Sequence, residues 1–473
     1  MTYGKNIHVI GFAGTEGAAL LEYLRNKFPD ARLTAHNFSR KENFLRDFRN
    51  AHTALDKQEA LAKGREILEL ENVIYRFQEN YLQGIDQADT IFVPQSWYLY
   101  SENTKLEKYR EKFRSITGLY FDLFPGKIIG VTGSNGKTTT TNMIAEIMRR
   151  AYPSTLYTGN DRRAAQVLEK LDGAGNDDWL VLEISNRQLM FDLGKSPDIS
   201  VITNITPNHL TEHKSFEDYA ATKASILKYQ TAKQWSVLNQ DDPESRKLIE
   251  IDSGETLPFS TEEFLPRGVF LKSENIILKH ADREEVLMPA SDLPLKGAHN
   301  LQNAMAAVAA CYLADIDLEL IAQTLRSMAP IPQRMELVGT VDGIEYYNDT
   351  ASTAPESTMA AINTLKNQNN KLTLILGGKS KGLDYGALIK IIAEKVDKII
   401  FLESPLAEEL KRGLKNHYDT STYDNLKEAV EYARKISKPG DLVLLSPAGE
   451  YFVYFKDKMP DHKKFRHIVE NLN

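Results

Sequence analysis

The run Thr132-Gly133-Ser134-Asn135-Gly136-Lys137-Thr138-Thr139 stands between an apolar segment, Lys127-Ile-Ile-Gly-Val-Thr132, and a helical one, TTTTNMIAEIMRRAY. Glycines let successive backbone N–H groups turn inward around a phosphate, and a helix amino terminus adds positive potential. Lys137 can reach β/γ oxygens and the Thr138 hydroxyl can ligate Mg²⁺. Position 131 is valine where the general pattern G-x-x-x-x-G-K-[ST] requires glycine, which disfavours a generic motor or GTPase. Two further groups fall at the ends of apolar strands, Glu183 closing Trp179-Leu-Val-Leu-Glu183 and His209 just after Ser200-Val-Ile-Thr-Asn-Ile205. That edge of an α/β sheet is where ligands bind, and a carboxylate and an imidazole there can share a magnesium ion. Lys223 lies on a helix opened by Ser215, with Asp218 three residues on as its capping-box partner.

The elements that must position these groups form three stretches. The first opens on the strand Ile7-His-Val-Ile10, a glycine turn (Gly11, Gly14, Thr15, Gly17) and the helical run AALLEYLRNKF, a nucleotide-binding arrangement that is weak evidence by itself. Residues 40–115 are charged, poor in glycine and mostly helical in period, interrupted by the strand-like DTIFVPQ. The second stretch, opened by the turn Phe124-Pro-Gly126, alternates strands and helices, and a parallel sheet is the natural solution. The third, from Pro330-Ile-Pro332, alternates again through strands Ile344–Tyr347, Leu372–Leu376, Lys398–Leu402 and Asp441–Leu445, which predicts a second doubly wound domain.

Further blocks follow the phosphate loop in order: Leu182-Glu183-Ile-Ser185-Asn-Arg-Gln188-Leu189, Asn204-Ile-Thr206-Pro-Asn208-His209-Leu, Tyr219-Ala-Ala-Thr-Lys223 and Gly297-Ala-His299-Asn300-Leu-Gln-Asn303-Ala304. Then come Gln333-Arg334-Met-Glu336, Asn348-Asp349-Thr350, Gly377-Gly378-Lys-Ser-Lys381 and Leu445-Ser446-Pro447-Ala448. The series resembles the Mur ligase family, ATP-dependent amide ligases that build the stem peptide of peptidoglycan, and its second block resembles the glutamate-adding branch. The resemblance implies an α/β fold of three domains. These are a Rossmann-like UDP-sugar domain over 1–125, a central P-loop-type ATPase domain with a mostly parallel sheet over 126–329, and a Rossmann-like amino-acid domain over 330–473.

It also implies the reaction. ATP and two Mg²⁺ ions activate the carboxylate of UDP-N-acetylmuramoyl-L-alanine as an acyl phosphate, which the amine of an acidic amino acid, D-glutamate foremost, then attacks. By the same likeness, Gly133 to Thr139, Asn300, Asn303, Arg334 and Asp349 hold ATP. Thr138, Glu183, His209 and a carbamylated Lys223 hold metal, and Lys137, Lys223, His209 and Glu183 form the catalytic group. Gly14, Thr15 and Asn160 contact the sugar nucleotide, while Lys381, Ser446 and Tyr451 lie on the amino-acid side. Departures mark that side: Ala351 replaces a usual lysine, Tyr451 stands at a glutamate-contacting serine position, and Lys458 at a phenylalanine position. Asn208 and Gln333 replace an aspartate and a histidine but keep hydrogen-bonding capacity. A related amide ligase with another acceptor, an L-glutamate adder or a folate or polyglutamate ligase, is the alternative. A non-catalytic nucleotide-binding scaffold is the third reading, and the intact Lys137, Thr138, Glu183 and His209 weigh against it.

Bulk properties agree. At 473 residues the chain is long enough for about three domains. With 58 Lys+Arg against 65 Asp+Glu the net charge is −7, which argues against a nucleic-acid or anionic-lipid partner, so bound phosphate must be held locally. The single cysteine, Cys311, sits in the apolar run AMAAVAACYLA and reads as core, excluding an internal disulfide or a cysteine-based zinc site. No run is as apolar as a membrane span, and the start MTYGKNIHVIGFAG lacks the pattern of a signal peptide. A cytoplasmic monomer is expected.

Overall fold

The structure, a computed structural model, describes residues 3–52, 55–160, 165–208, 211–251, 253–281, 283–366, 369–380, 382–414, 421–451 and 464–472. Its first sheet is parallel throughout: β1 (Asn6–Ile10), β2 (Arg32–His36), β3 (Val73–Arg76), β4 (Thr90–Phe92) and β5 (Phe113–Arg114) lie in the order β3-β2-β1-β4-β5. The second is also parallel. It orders β6 (Lys127–Thr132), β7 (Leu156–Gly159), β8 (Trp179–Glu183), β9 (Ile199–Ile202), β10 (Trp235–Leu238) and β11 (Glu255–Thr256) as β11-β10-β9-β6-β8-β7. A small sheet follows, β12 (Phe259–Ser260), β13 (Gly268–Lys272), β14 (Asn275–His280) and β15 (Arg283–Pro289), antiparallel from β13 to β15. The last sheet holds β16 (Glu336–Val341), β17 (Ile344–Asn348), β18 (Leu372–Leu376), β19 (Lys398–Leu402), β20 (Ser421–Tyr423) and β21 (Leu442–Leu445). Its order is β16-β17-β21-β18-β19-β20, parallel except for the β16/β17 hairpin.

The two-residue period of a strand explains how the central sheet is buried. Ile129, Val131, Val181, Val201 and Val237 face one core with Met143, Ile144, Ile147 and Met148 of the helix Lys137–Ala151, and with the helix Ala298–Leu313, which carries the buried Cys311. Ile128, Leu180, Leu182, Ile202 and Leu238 point the other way, into a core shared with the first sheet and joined by Leu119, Tyr120, Phe121 and Phe124. With both faces covered, β6 and β8 read as near-continuous apolar runs. Among the described residues no helix is long and apolar enough to cross a membrane.

The helical expectation for residues 40–115 holds in part. Phe44–Ala51 and Lys57–Leu68 are α-helices, but Ser101–Lys112 winds as 3₁₀ turns, because Asn103 and Leu106 are the residues it buries and no apolar stripe anchors an α-helix. Ser215 caps the helix Phe216–Ala224 through the Asp218 N–H. The Asp218 carboxylate turns instead to His213 Nδ1 and Lys214 N, each at 3.2 Å, so the expected reciprocal box gives way to a different closure.

Beneath the first sheet's ligand edge lie two stacked imidazoles. His8 Nδ1 and His36 Nε2 are 2.9 Å apart, and the Leu82 N–H donates to His36 Nδ1 at 3.2 Å. His36 therefore donates from Nε2 to His8. Burial pushes His8 down to about 4 and His36 to about 3. An unfolded chain takes up these protons near pH 6.5, so stability that is full above that value is lost as pH falls toward 4. Urea titrations should show the unfolding free energy dropping by up to about 1.4 kcal/mol per pH unit per ring within that window. A His8→Leu, His36→Leu double variant should flatten the slope; an equal slope would remove the pair as its source.

Candidate active site

The phosphate loop leaves β6 at Thr132 with Gly133 at φ +150° and Gly136 at φ +83°. Residues following β9 pin it: Ser134 N–H donates to Asn204 O at 2.9 Å, Asn135 N–H to Asn204 Oδ1 at 3.0 Å, and Thr203 Oγ1 to Asn135 O at 2.6 Å. The Ser134 hydroxyl donates to Thr206 O at 2.8 Å and lies 3.0 Å from the Tyr219 hydroxyl. On the far side, a Cβ on Gly136 would stand 2.2 Å from Asn303 Oδ1, which also accepts from Thr140 Oγ1 at 3.2 Å. The loop is thus rigid, with left-handed backbone where only glycine fits without strain. Lys137 opens the helix and folds back over the loop, donating to Gly133 O at 2.8 Å and Ser134 O at 3.0 Å. Thr138 and Thr139 follow it, both buried.

Strand register brings Glu183 alongside. Val131 and Gly159 are its partners on either side, which sets the carboxylate at the sheet edge next to the loop. Asn160 Nδ2 donates to Glu183 Oε1 at 3.0 Å, while Oε2, fully buried, has no hydrogen-bond partner among the described residues. An orphaned buried carboxylate oxygen suits a cation. Lys223, 1% exposed, sits with its Nζ 4.9 Å from the Tyr219 ring centroid. Burial above all, and then Lys137, drive its ammonium well below the usual lysine range, while Glu183 opposes the shift. His209 and Lys381 lie outside the described residues. Among the described ones, no three His, Cys, Asp or Glu side chains cluster to hold a metal, so a protein-only cage is not present there. Mg²⁺ characteristically takes one or two protein groups and completes its shell with water and phosphate, which Glu183 and Thr138 fit.

A cavity of about 420 Å³ lies between this loop and the last sheet, and Asn135, Gly136, Asn300, Asn303, Arg334 and Asp349 all line it. Asp349 is anchored by Ser446 Oγ, donating at 2.7 Å, and by the Met335 N–H at 3.2 Å. Burial raises its carboxyl to about 6, against the pull of these hydrogen bonds and of Arg334. Asn300 and Asn303 are coupled to each other, Nδ2 of the second donating to Oδ1 of the first at 3.3 Å.

Other expected site residues are placed differently. Ser446 is fully buried, donates its hydroxyl proton to Asp349 and accepts from the Thr358 hydroxyl at 2.8 Å. Tyr451 packs in the apolar core with Phe465, Ile468 and Val469. Gly14 and Thr15 start the helix Thr15–Lys27 at the first sheet's ligand edge, outside the cavity. The reading from sequence did not single out His299, which lines the cavity as a neutral ring pushed down to about 4 by burial and Arg334. Its signal was present in Gly297-Ala-His299-Asn300. Ser357 was also missed; its hydroxyl donates to Asn135 Oδ1 at 3.1 Å and joins the last sheet's domain to the phosphate loop.

Comparison with known proteins places this geometry. Residues 131–311 match the family model described as Mur ligase middle domain, and residues 333–449 the one described as Mur ligase, glutamate ligase domain. A UDP-N-acetylmuramoylalanine–D-glutamate ligase from Acetivibrio thermocellus is 32% identical over 410 residues, 85% of this chain and 86% of that protein. One from Symbiobacterium thermophilum is 33% identical over 89% of this chain and 93% of its own length. Among solved structures, UDP-N-acetylmuramate-alanine ligase MurC from Thermotoga maritima superposes with a TM-score of 0.62 at 17% identity, covering 99% of this chain and 100% of that one.

Proposed function

The chain belongs to the Mur ligase family, and from that premise we propose that it joins D-glutamate to UDP-N-acetylmuramoyl-L-alanine at the expense of ATP, in peptidoglycan precursor assembly. The alanyl carboxylate takes the γ-phosphoryl group, releasing ADP, and the amine of glutamate then displaces phosphate from the acyl phosphate and gives up a proton. Both steps join substrates to one another, so the protein's task is to position groups and stabilise charge. The observation that carries the reading is the meeting of the phosphate loop, through Asn135 and Gly136, with Arg334 and Asp349 across one cavity.

Lys137, now bonded to two loop carbonyls, gains stronger acceptors in phosphoryl oxygens, which the amino terminus of its helix also favours. Asp349, held by Ser446, steadies Arg334, and Asn303 keeps the loop in shape from below. Glu183, Thr138, His209 and Lys223 as its carbamate are the groups that would hold two Mg²⁺ ions. Bound there, the ions would neutralise phosphate charge. We assign the sugar nucleotide to residues 1–125, ATP to 126–329 and the amino acid to 330–473, where Lys381 supplies a cation for the side-chain carboxylate.

Phosphate release from ATP, Mg²⁺ and UDP-N-acetylmuramoyl-L-alanine, measured with each amino acid in turn, tests the reading. Release with D-glutamate is expected. Release with L-glutamate only, or with a different acceptor only, sinks the D-glutamate assignment and leaves the related-ligase alternative.

A further inference from the structure

The segment that follows β4 is fastened at two points three residues apart, directly to the turn that follows β8 and, through Glu212 of the loop after β9, to the short helix Asn186–Leu189. At the first, Ser185 Oγ donates to Gln95 Oε1 at 2.6 Å; Gln95 in turn donates to Glu16 through Nε2 at 2.9 Å and its backbone N–H at 3.2 Å. Glu16 belongs to the first turn of the helix Thr15–Lys27, so three chain segments from two sheets meet in one line of hydrogen bonds. At the second, the Tyr98 hydroxyl donates to Glu212 Oε2 at 2.6 Å, and Arg187 grips the same carboxylate with Nε at 2.8 Å and Nη2 at 2.5 Å. Glu212 is 10% exposed, so this bidentate pair is largely shielded from solvent screening. Phe191 packs against the apolar cluster that contains Trp97, Leu106 and Phe113.

The position of these contacts gives them a consequence. Ser185 is two residues past Glu183 and is the amino-terminal cap of the helix Asn186–Leu189, accepting from the Gln188 N–H at 3.2 Å. Its hydroxyl proton is therefore available for Gln95 while its lone pair holds the helix. A displacement of the 95–98 segment is transmitted directly to the backbone that leaves Glu183. Resting on the ligase reading above, we propose that Gln95–Ser185 and Tyr98–Glu212–Arg187 form an interdomain clasp that sets the angle between the sugar-nucleotide domain and the ATP domain. Gln95 and Ser185 act as positioning residues for the Glu183 strand exit.

Gln95→Leu and Ser185→Ala should each lower kcat/KM for the sugar nucleotide by roughly 10- to 100-fold, with ATP binding in its absence unchanged. The double variant should lose less than the product of the two single losses, since the Gln95–Ser185 bond is common to both. Ser185→Thr, which keeps the hydroxyl, should recover most of the activity. Small-angle scattering of the substrate-free Gln95→Leu, Tyr98→Phe double variant should show a larger radius of gyration than the parent at an unchanged far-ultraviolet spectrum. Additive losses together with an unchanged radius would overturn the clasp. Because scattering needs no turnover, an expanded variant beside a parent inactive with D-glutamate would refute the substrate reading and leave the clasp standing.

Discussion

Lys137→Ala is expected to lower ATP turnover by about 10²–10³-fold, the loss typical of removing one preorganised group that stabilises developing charge. The ammonium sits 2.8 and 3.0 Å from the carbonyls of Gly133 and Ser134, poised over the loop that would receive phosphate. The loop is also held by Asn204, Thr203 and Thr206. The variant should therefore keep its melting temperature within a few degrees while losing turnover. Lys137→Arg should recover little, because a planar fork cannot sit over two adjacent carbonyls of a tight loop as a point charge does. Removing Lys137 also removes one of the influences that depress Lys223, whose pKa should move back up. Single-turnover phosphate release would check the effect. An alanine variant that keeps more than a tenth of parental activity would show that phosphate charge is neutralised elsewhere.

The strands that carry the site were legible because they are buried on both faces. Lys127–Thr132, Trp179–Glu183, Leu372–Leu376 and Lys398–Leu402 read as apolar runs and are found as β6, β8, β18 and β19. Strands β2, β3 and β7 were not, since Arg32–His36, Val73–Arg76 and Leu156–Gly159 are short and half polar. The β12–β15 sheet was hidden for a related reason: β15, Arg-Glu-Glu-Val-Leu-Met-Pro, exposes most of its length and gives no clean alternation. At the site, a linear block such as Leu445-Ser446-Pro447 places a residue at a strand end without saying which way its side chain turns. Ser446 turns inward to Asp349, and Tyr451 enters the core. The Ser357–Asn135 contact had no local signal at all, because it exists only once two domains are docked.

Lys223→Ala should be the other severe lesion, with a loss of about 10²–10³-fold that a short carboxylic acid partly restores. A lysine that is 1% exposed and close enough to Lys137 to feel its charge is a poor place for a second cation, and the cost of burying an unpaired ammonium runs to several kcal/mol. The downward shift of its pKa favours the neutral amine, which is the form that reacts with carbon dioxide. In the proposed modification the amine would bond to the carbon of carbon dioxide and release one proton, and the resulting carbamate would set a negative charge beside Lys137. It also lengthens the side chain toward the phosphate loop, where Tyr219 already links the same helix to Ser134. Alanine at position 223 leaves a space the size of the lost stem, and formate or propionate can bring a carboxylate into it. Lys223→Arg, a permanent cation, should be as inactive as the alanine variant and should not respond to added acid. Full activity in Lys223→Ala, or equal activity in the arginine variant and the parent, would mean that Lys223 serves the fold and not the metal site.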